Sequence, residues 1–354
     1  MSTHMDEQEI HTSVQNYYGR ILKSKQDLQT SACCPTTAPP AYVREVLPLI
    51  HPQIRERSYG CGSPIPPAVE DCTVLDLGCG TGQDVYVLAK LAGPSGRVIG
   101  VDMTPEQLAV ARQHMEHHRA AFGYDRSNVE LVHGYIEDLA GCGIRDESVD
   151  VVVSNCVLNL APDKSLVFGE IFRVLKPGGE LYFSDVFADR RLPQEWLSDA
   201  RLVGECLAGA LYLEDFRRLL ATQGCQDARF VSISDFTIAN DEIQQQVGNT
   251  HFYSATVRAF KLPLEDRCED YGQVAVYLGT IPGYPHAFAL DDHHLFVTGK
   301  PLLVCGNTAD MISGSRYARH FGITGDKSRH FGLFDCSTPR SGMAQGAVPS
   351  SGCC

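Results

Sequence analysis

The sequence predicts an α/β protein: a mainly parallel sheet with helices on both faces, joined to a smaller α+β region. Three observations carry that reading. From Cys72 to Asp185 apolar strand segments alternate with helical ones, the order that builds a parallel sheet. Val74 to Asp84 reads VLDLGCGTGQD, an apolar strand, a turn with glycine at 78, 80 and 82, and the start of a helix. In a later strand segment, Val149 to Asn155, the run Val151-Val152-Val153 does not alternate, as expected where both faces are covered.

Taken in order, residues 7–30 carry Ile10, Val14, Tyr17, Tyr18, Ile21 and Leu22 near helical spacing. Pro35, Pro39 and Pro40 end that helix, since proline has no amide to donate. A loop from Tyr59 through Cys61 to Pro67 leads into the first strand. The glycines at 78, 80 and 82 let the backbone turn tightly and approach a ligand. Amides opening the next helix favour an anionic group, and Gly93-Pro94 closes that helix. The second strand, Val98 to Val101, ends on Asp102, twenty positions after Gly82, where an acid reaches a ribose hydroxyl. Thr104-Pro105-Glu106-Gln107 opens a helix with an N-cap threonine, a first-turn proline and a glutamine completing a capping box. Val129 to Val132 is the third strand, Val149 to Asn155 the fourth, and Leu175 to Phe183 a turn into the fifth. Leu192 to about Asn240 reads as largely helical. Further on, Phe252 to Phe260 and Pro301 to Cys305 read as strands and Tyr317 to Phe321 as a short helix. Ala287 to Leu290 is too brief to assign.

Composition narrows the function. At 354 residues the chain can bury a substantial core, and 44% hydrophobic with 21% charged residues suits a soluble globular protein. It has no uninterrupted apolar run of about 18 residues to span a bilayer, and the polar, acidic Met1 to Ile10 has no secretory pattern. A formal net charge of −13 argues against nucleic acid as a partner, because phosphate binding needs a basic face. Fourteen cysteines without a Cys-x-x-Cys pair give no local zinc signature. In a reducing, cytoplasmic setting such thiols are more often ligands, catalysts or buried than permanent disulfides.

The acid at position 76, two residues before the first glycine, separates this turn from a nicotinamide site. The run resembles motif I of the class I S-adenosylmethionine-dependent methyltransferases, and His133-Gly134-Tyr135-Ile136-Glu137-Asp138 and Leu175 to Phe183 fit the same pattern in order. The resemblance implies a Rossmann-like class I methyltransferase sheet. The cofactor residues it implies are Tyr59, Asp76, Gly78, Gly80, Gly82, Asp102, Met103, Ile136, Glu137 and Asn155. In that fold the segment after the fourth strand lines the substrate side, which puts Cys156 toward the methyl group.

The segments around Cys33, Cys61, Cys156 and Cys206, together with Tyr17-Tyr18-Gly19, Gly178 to Val186 and Phe252 to Thr256, resemble the arsenite methyltransferases over most of residues 10–260. The resemblance implies that Cys61, Cys156 and Cys206 coordinate trivalent arsenic and that Cys33 is redox-active; Cys34 beside it leaves open which of the two acts. It also likens the terminal Cys353-Cys354 to a cysteine-rich arsenic-collecting tail. The expected organisation is 1–70, an N-terminal helix and cysteine-bearing loops; 71–190, the cofactor domain; 191–260, the arsenic-binding region; 261–340, a C-terminal domain; and 341–354, a disordered tail.

Thiolate is a soft ligand, and arsenic(III) on three sulfurs is pyramidal and keeps a lone pair. That pair can displace the sulfonium methyl in line, so the reaction needs positioning rather than a general base. No His or Asp is therefore nominated as catalytic. Methylation leaves arsenic pentavalent, and two electrons come from nearby thiols, with Cys33 and Cys61 the expected pair, re-reduced by thioredoxin or glutathione. The resemblance implies arsenite or its thiol conjugates as the substrate and mono- and dimethylated arsenicals as the products. Cys79 inside the glycine turn reads as scaffold, and Cys72, Cys142, Cys225, Cys268, Cys305 and Cys336 as structural. His117-His118 and His293-His294 read as surface histidines, with Asp291-Asp292 a solvated polar turn. Two rivals remain: a small-molecule C- or O-methyltransferase with incidental cysteines, and a non-catalytic thiol-based binder of arsenic or another soft metal.

Overall fold

Strands β1 (Thr73–Leu77), β2 (Arg97–Asp102), β3 (Val129–His133), β4 (Val149–Asn155) and β5 (Leu175–Ala188) form where the sequence places them. In the computed structural model, which describes residues 7–18, 38–238 and 240–336, they lie parallel in the order β3-β2-β1-β4-β5. The order reverses between β1 and β4, and the crevice outside their carboxyl ends is where such sheets bind ligands. The sheet continues through β6 (Leu211–Tyr212), β7 (Ala228–Asp235) and β8 (Phe252–Phe260). The last of these lies antiparallel between β5 and β7, while β6 runs beside the end of β5.

The valine run on β4 explains itself in packing. Val151 and Val153 join the apolar cluster under helices Gln83–Ala92 and Pro105–Gln113, whereas Val152 joins the one under helix Lys164–Val174. All three valines are fully buried. Successive side chains of a strand point to opposite faces, so a strand covered twice has no polar side to show.

Several local expectations need correction. Leu192 to Asn240 contains the helices Ala200–Gly204 and Leu213–Thr222, but also the strand β7. A bulge between Phe230 and Ser232 breaks the alternation that would have marked it. Thr104 does open a helix, yet its side chain makes no cap. Its amide instead donates to Asp102 Oδ1 at 2.7 Å, and Gln107 Nε2 donates to the Tyr18 carbonyl at 2.8 Å. His118 is 1% exposed and stacks on Tyr86 at 3.7 Å, and His294 is buried against the buried Asp291, so neither pair is wholly a surface feature. The helix predicted over 7–30 is described as Glu7–Asn16. Its remainder beyond residue 18, Cys33, Cys34 and the 341–354 tail lie outside the described residues.

The chain then forms short strands β9 (Glu269–Asp270), β10 (Gln273–Tyr277), β11 (Ala287–Ala289), β12 (Leu295–Val297), β13 (Pro301–Val304), β14 (Phe321–Thr324) and β15 (Gly332–Leu333). The antiparallel β13-β10-β14 sheet has its own core of Tyr277, Phe288, Phe296, Tyr317 and Phe321. Tyr317 to Phe321 is a 3₁₀ turn at Ala318–His320 running into β14. The unassigned Ala287 to Leu290 segment pairs as β11 with β12. This region is fixed to the main sheet by charge. The fully buried Glu180 on β5 lies 2.9 Å from Arg258 Nε on β8 and 2.5 Å from Arg316 Nη2. Arg316 also donates to the carbonyl oxygens of Pro67 and Ala68. A carboxylate so deep is tolerable only with such partners.

Candidate active site

At the reversal point lies a cavity of about 1010 Å³, its open mouth included. Every residue expected to face a cofactor lines it except Gly82, which caps the following helix behind it. Gly78 and Gly80 hold φ of 69° and 53°, left-handed values that favour glycine. A Cβ on Gly78 would lie 2.4 Å from Val157, whereas one on Gly80 would meet no protein atom and face open space. Asp102 stands at the centre of the turn, accepting from the Gly80 amide at 2.7 Å and from Thr104 N.

The electrostatics suit a positively charged ligand. Burial first, then the neighbouring Asp84 and Asp102 carboxylates, raise Asp76 well above the ordinary carboxyl range. Burial likewise raises Asp102, against the hydrogen bonds it accepts. Acids crowded into an apolar crevice are costly until a cation joins them. A sulfonium cofactor with an ammonium group supplies that charge, so the donor set fits S-adenosylmethionine.

The N-terminal helix, whose part in the site the sequence did not reveal, closes this cavity. His11 Nε2 lies 3.1 Å from Glu137 Oε1 and its ring stacks on Tyr135 at 4.8 Å, while Gln15 donates to the Met103 carbonyl at 2.9 Å. Just after it, Tyr17 donates to the buried Glu205 at 2.9 Å and Tyr18 to the Gly204 carbonyl at 2.9 Å, with the Tyr18 hydroxyl 3.8 Å from Cys206 Sγ. The signal was the apolar spacing of residues 7–30, which says helix but not what the helix covers.

Beyond the cofactor residues the cysteines converge. Cys156 lines the cavity at the end of β4, and Cys61 is disulfide-bonded to it. Cys206 Sγ donates to the Cys156 carbonyl oxygen at 3.5 Å. In this structure Cys61 is paired with Cys156, while Cys33, its expected partner in turnover, lies outside the described residues. Asn155 holds the two loops in register: the Gly62 amide donates to its Oδ1 at 3.3 Å, and its Nδ2 donates to the Gly62 carbonyl at 3.1 Å and to Asp84 at 3.0 Å. A Cβ on Gly60 would strike that amide. Ser254 donates to the Cys61 carbonyl at 2.7 Å.

One further residue was not foreseen. Asp185 has a carboxylate oxygen within 4.8 Å of the Cys61 and Cys156 sulfurs. Burial pushes its pKa up to about 7 against the hydrogen bonds from the Val186 and Asn159 amides and the charge of Lys164. A buried carboxyl whose pKa is raised toward neutrality beside these cavity-edge sulfurs marks a candidate functional residue. Conversely Cys79, buried in the glycine turn, has its thiol raised well above the ordinary value by burial and by Asp102, which suits scaffold better than ligand.

Comparison with known proteins agrees with this geometry. A methyltransferase domain model matches residues 68–224, and a model described as the arsenite methyltransferase C-terminal domain matches 270–343. The chain is 53% identical to an arsenite methyltransferase of Aquipseudomonas alcaligenes over 327 residues, covering 92% of this chain and 94% of the relative. It is 44% identical to the arsenite methyltransferase of Mus musculus, covering 92% and 86%. Among solved structures, an arsenic(III) S-adenosylmethionine methyltransferase from Chlamydomonas reinhardtii superposes with a TM-score of 0.81 at 53% identity, covering 84% of this chain and all of that one.

Proposed function

The chain belongs to the arsenite methyltransferase family, and on that premise we propose that Cys61, Cys156 and Cys206 are the thiols that hold its arsenic. It is an enzyme that methylates trivalent arsenic with S-adenosylmethionine as donor. The observation supporting the site assignment is that Cys156 lines the same cavity as Asp76, Gly80 and Asp102, with Cys61 bonded to it and the Cys206 thiol donating to its carbonyl.

In the oxidised form described, Cys61 and Cys156 are joined to each other and cannot both bind arsenic. Two electrons and two protons from thioredoxin or glutathione, in the reducing cytoplasm, open the bond. Arsenite then exchanges its three oxygens for three sulfurs: three S–H and three As–O bonds break, three As–S bonds form, and three waters leave. Bound S-adenosylmethionine supplies an electrophilic methyl. The protein's task is aim: Asn155 fixes the Cys61 loop to the end of β4, and Tyr17 and Tyr18 fix the Cys206 loop, so the arsenic lone pair faces the donor. Orientation of this kind contributes as much as about 7–11 kcal/mol to a reaction without proton transfer.

After transfer the arsenic is pentavalent. Two thiolates return it to the trivalent state by giving up one electron each and closing a disulfide, and the Cys61–Cys156 bond suits that product. Cys33 or Cys34 then serves as the thiol that relays reduction from outside. A C- or O-methyltransferase would have no use for three thiols at the acceptor end.

The test is to incubate the pre-reduced protein with S-adenosylmethionine, a thiol reductant and arsenite, and to speciate the arsenic. Mono- and dimethylated arsenic are expected. Unmethylated arsenic alone, from folded protein that binds the donor, would overturn the reading.

A further inference from the structure

A second group of cysteines, read from the sequence as structural, comes together at the far edge of the sheet. Cys268, Cys305 and Cys336 place their sulfurs within 4.8 Å of one another. Their positions are built. Cys305 caps helix Gly306–Ser313 and accepts from the Thr308 amide at 3.5 Å. Pairing of β9 with β15, and a hydrogen bond from Phe334 N to the Cys268 carbonyl at 2.7 Å, bring Cys336 beside Cys268. Arg229 on β7 directs Nη2 at the Cys268 and Cys305 sulfurs, 3.9 and 3.8 Å away, and itself pairs with Asp227 and Asp291.

We propose that Cys268, Cys305 and Cys336 form a second three-thiol site that binds trivalent arsenic and holds it apart from the methylation pocket. Three soft donors select a thiophilic ion, and a guanidinium beside two of them favours their thiolate forms. Arsenic(III) is complete with three sulfurs and a lone pair. Cys268 and Cys305 are buried while Cys336 is partly exposed, which leaves an entry side. Loading follows the same balance as at the first site: arsenite and three thiols give three As–S bonds and three waters, with no change of oxidation state. Counting across the sheet, β7 stands three strand spacings from β4, about 14 Å. Arsenic bound there is out of reach of the methyl donor and is held, not turned over.

The choice of arsenic rests on the reading of the chain as an arsenic enzyme, so the test uses binding alone. The full-length chain carrying Cys156→Ser and Cys206→Ser is reduced, exposed to arsenite without S-adenosylmethionine, desalted and weighed by native mass spectrometry. Cys305→Ser added to that background is expected to remove one arsenic per chain, and Cys336→Ser, at a partly exposed position that tolerates substitution, is expected to do the same. Cys305→Ser alone should leave methylation at saturating arsenite unchanged. Equal arsenic content with and without Cys305→Ser and Cys336→Ser would overturn the site. So would a zinc ion held by these cysteines that arsenite does not displace. Failure of the methylation reading would show instead as absent product from the wild type, a separate measurement.

Discussion

The Cys206 thiol donates to the carbonyl oxygen of Cys156 at 3.5 Å, and both residues hold left-handed backbone, with φ of 60° and 57°. Such a φ is uncommon for residues other than glycine and persists where the surroundings over-determine it, often at functional sites. Here the surroundings are the Ser184 carbonyl, which accepts from Cys156 N at 2.8 Å, and the tyrosines behind Cys206. Cys206→Ser keeps a donor for the Cys156 carbonyl, so the fold and the cofactor pocket should survive. Arsenite affinity should fall by more than the roughly 10–100-fold that outer ligand-shell changes cost. Titration of arsenite and of S-adenosylmethionine into the reduced variant separates the two effects; equal weakening of both would count against the assignment.

Asn155 links the cofactor and thiol sides. Asn155→Ala leaves the Gly62 amide and carbonyl without their partner, a loss worth about 1–3 kcal/mol. Activity with arsenite should drop about 10–100-fold, since 1.36 kcal/mol is tenfold in rate. Melting temperature should fall only modestly. A loss of stability with full activity in the surviving protein would show the clasp to be structural alone.

Asp185 gives the site a pH dependence of known sign. Its pKa of about 7 is raised above the ordinary value, so the folded state holds its proton more tightly than the unfolded state. Stability from this group is therefore full at low pH and lost as pH rises through about 4 to about 7. Asp185→Asn removes that dependence: relative to wild type, the variant should gain stability on going from pH 5 to pH 8, on the order of a few kcal/mol. Denaturant unfolding at the two pH values checks it. An unchanged difference would show that Asp185 titrates normally.

Gly80→Ala probes the cofactor turn. The methyl meets no protein atom, so folding should lose only about 1–2 kcal/mol for the left-handed backbone. Donor binding should weaken more than that, because the new group faces the cavity. Calorimetric titration of S-adenosylmethionine compared with the stability loss decides whether the glycine serves the ligand or only the turn.

Most of this was legible in the chain, for physical reasons. Strands buried on both faces leave unbroken valine runs, and a glycine turn after such a strand announces a ligand, so β1 to β5 and the cofactor cavity could be read directly. Other features depend on contacts that sequence spacing does not carry. The arginine that binds two carboxylates and approaches two sulfurs, Arg229, sits on a bulged strand whose alternation is broken, and the stretch therefore reads as helix. Asp185 is an ordinary acid until a fully packed β5 removes its water. That Cys61 lies beside Cys156, 95 residues away, was implied by the family resemblance and not by spacing. Nor could spacing reveal that Cys268, Cys305 and Cys336 meet, because only the β9–β15 pairing closes that loop.

The central claim is that reduced Cys61, Cys156 and Cys206 together hold the arsenic that is methylated. Arsenic K-edge X-ray absorption on reduced Cys305→Ser protein, with one arsenite per chain, tests it most directly. Three sulfur neighbours are predicted, with one replaced by oxygen when Cys206→Ser is added. An oxygen-dominated shell, or three sulfurs that persist without Cys206, would contradict it.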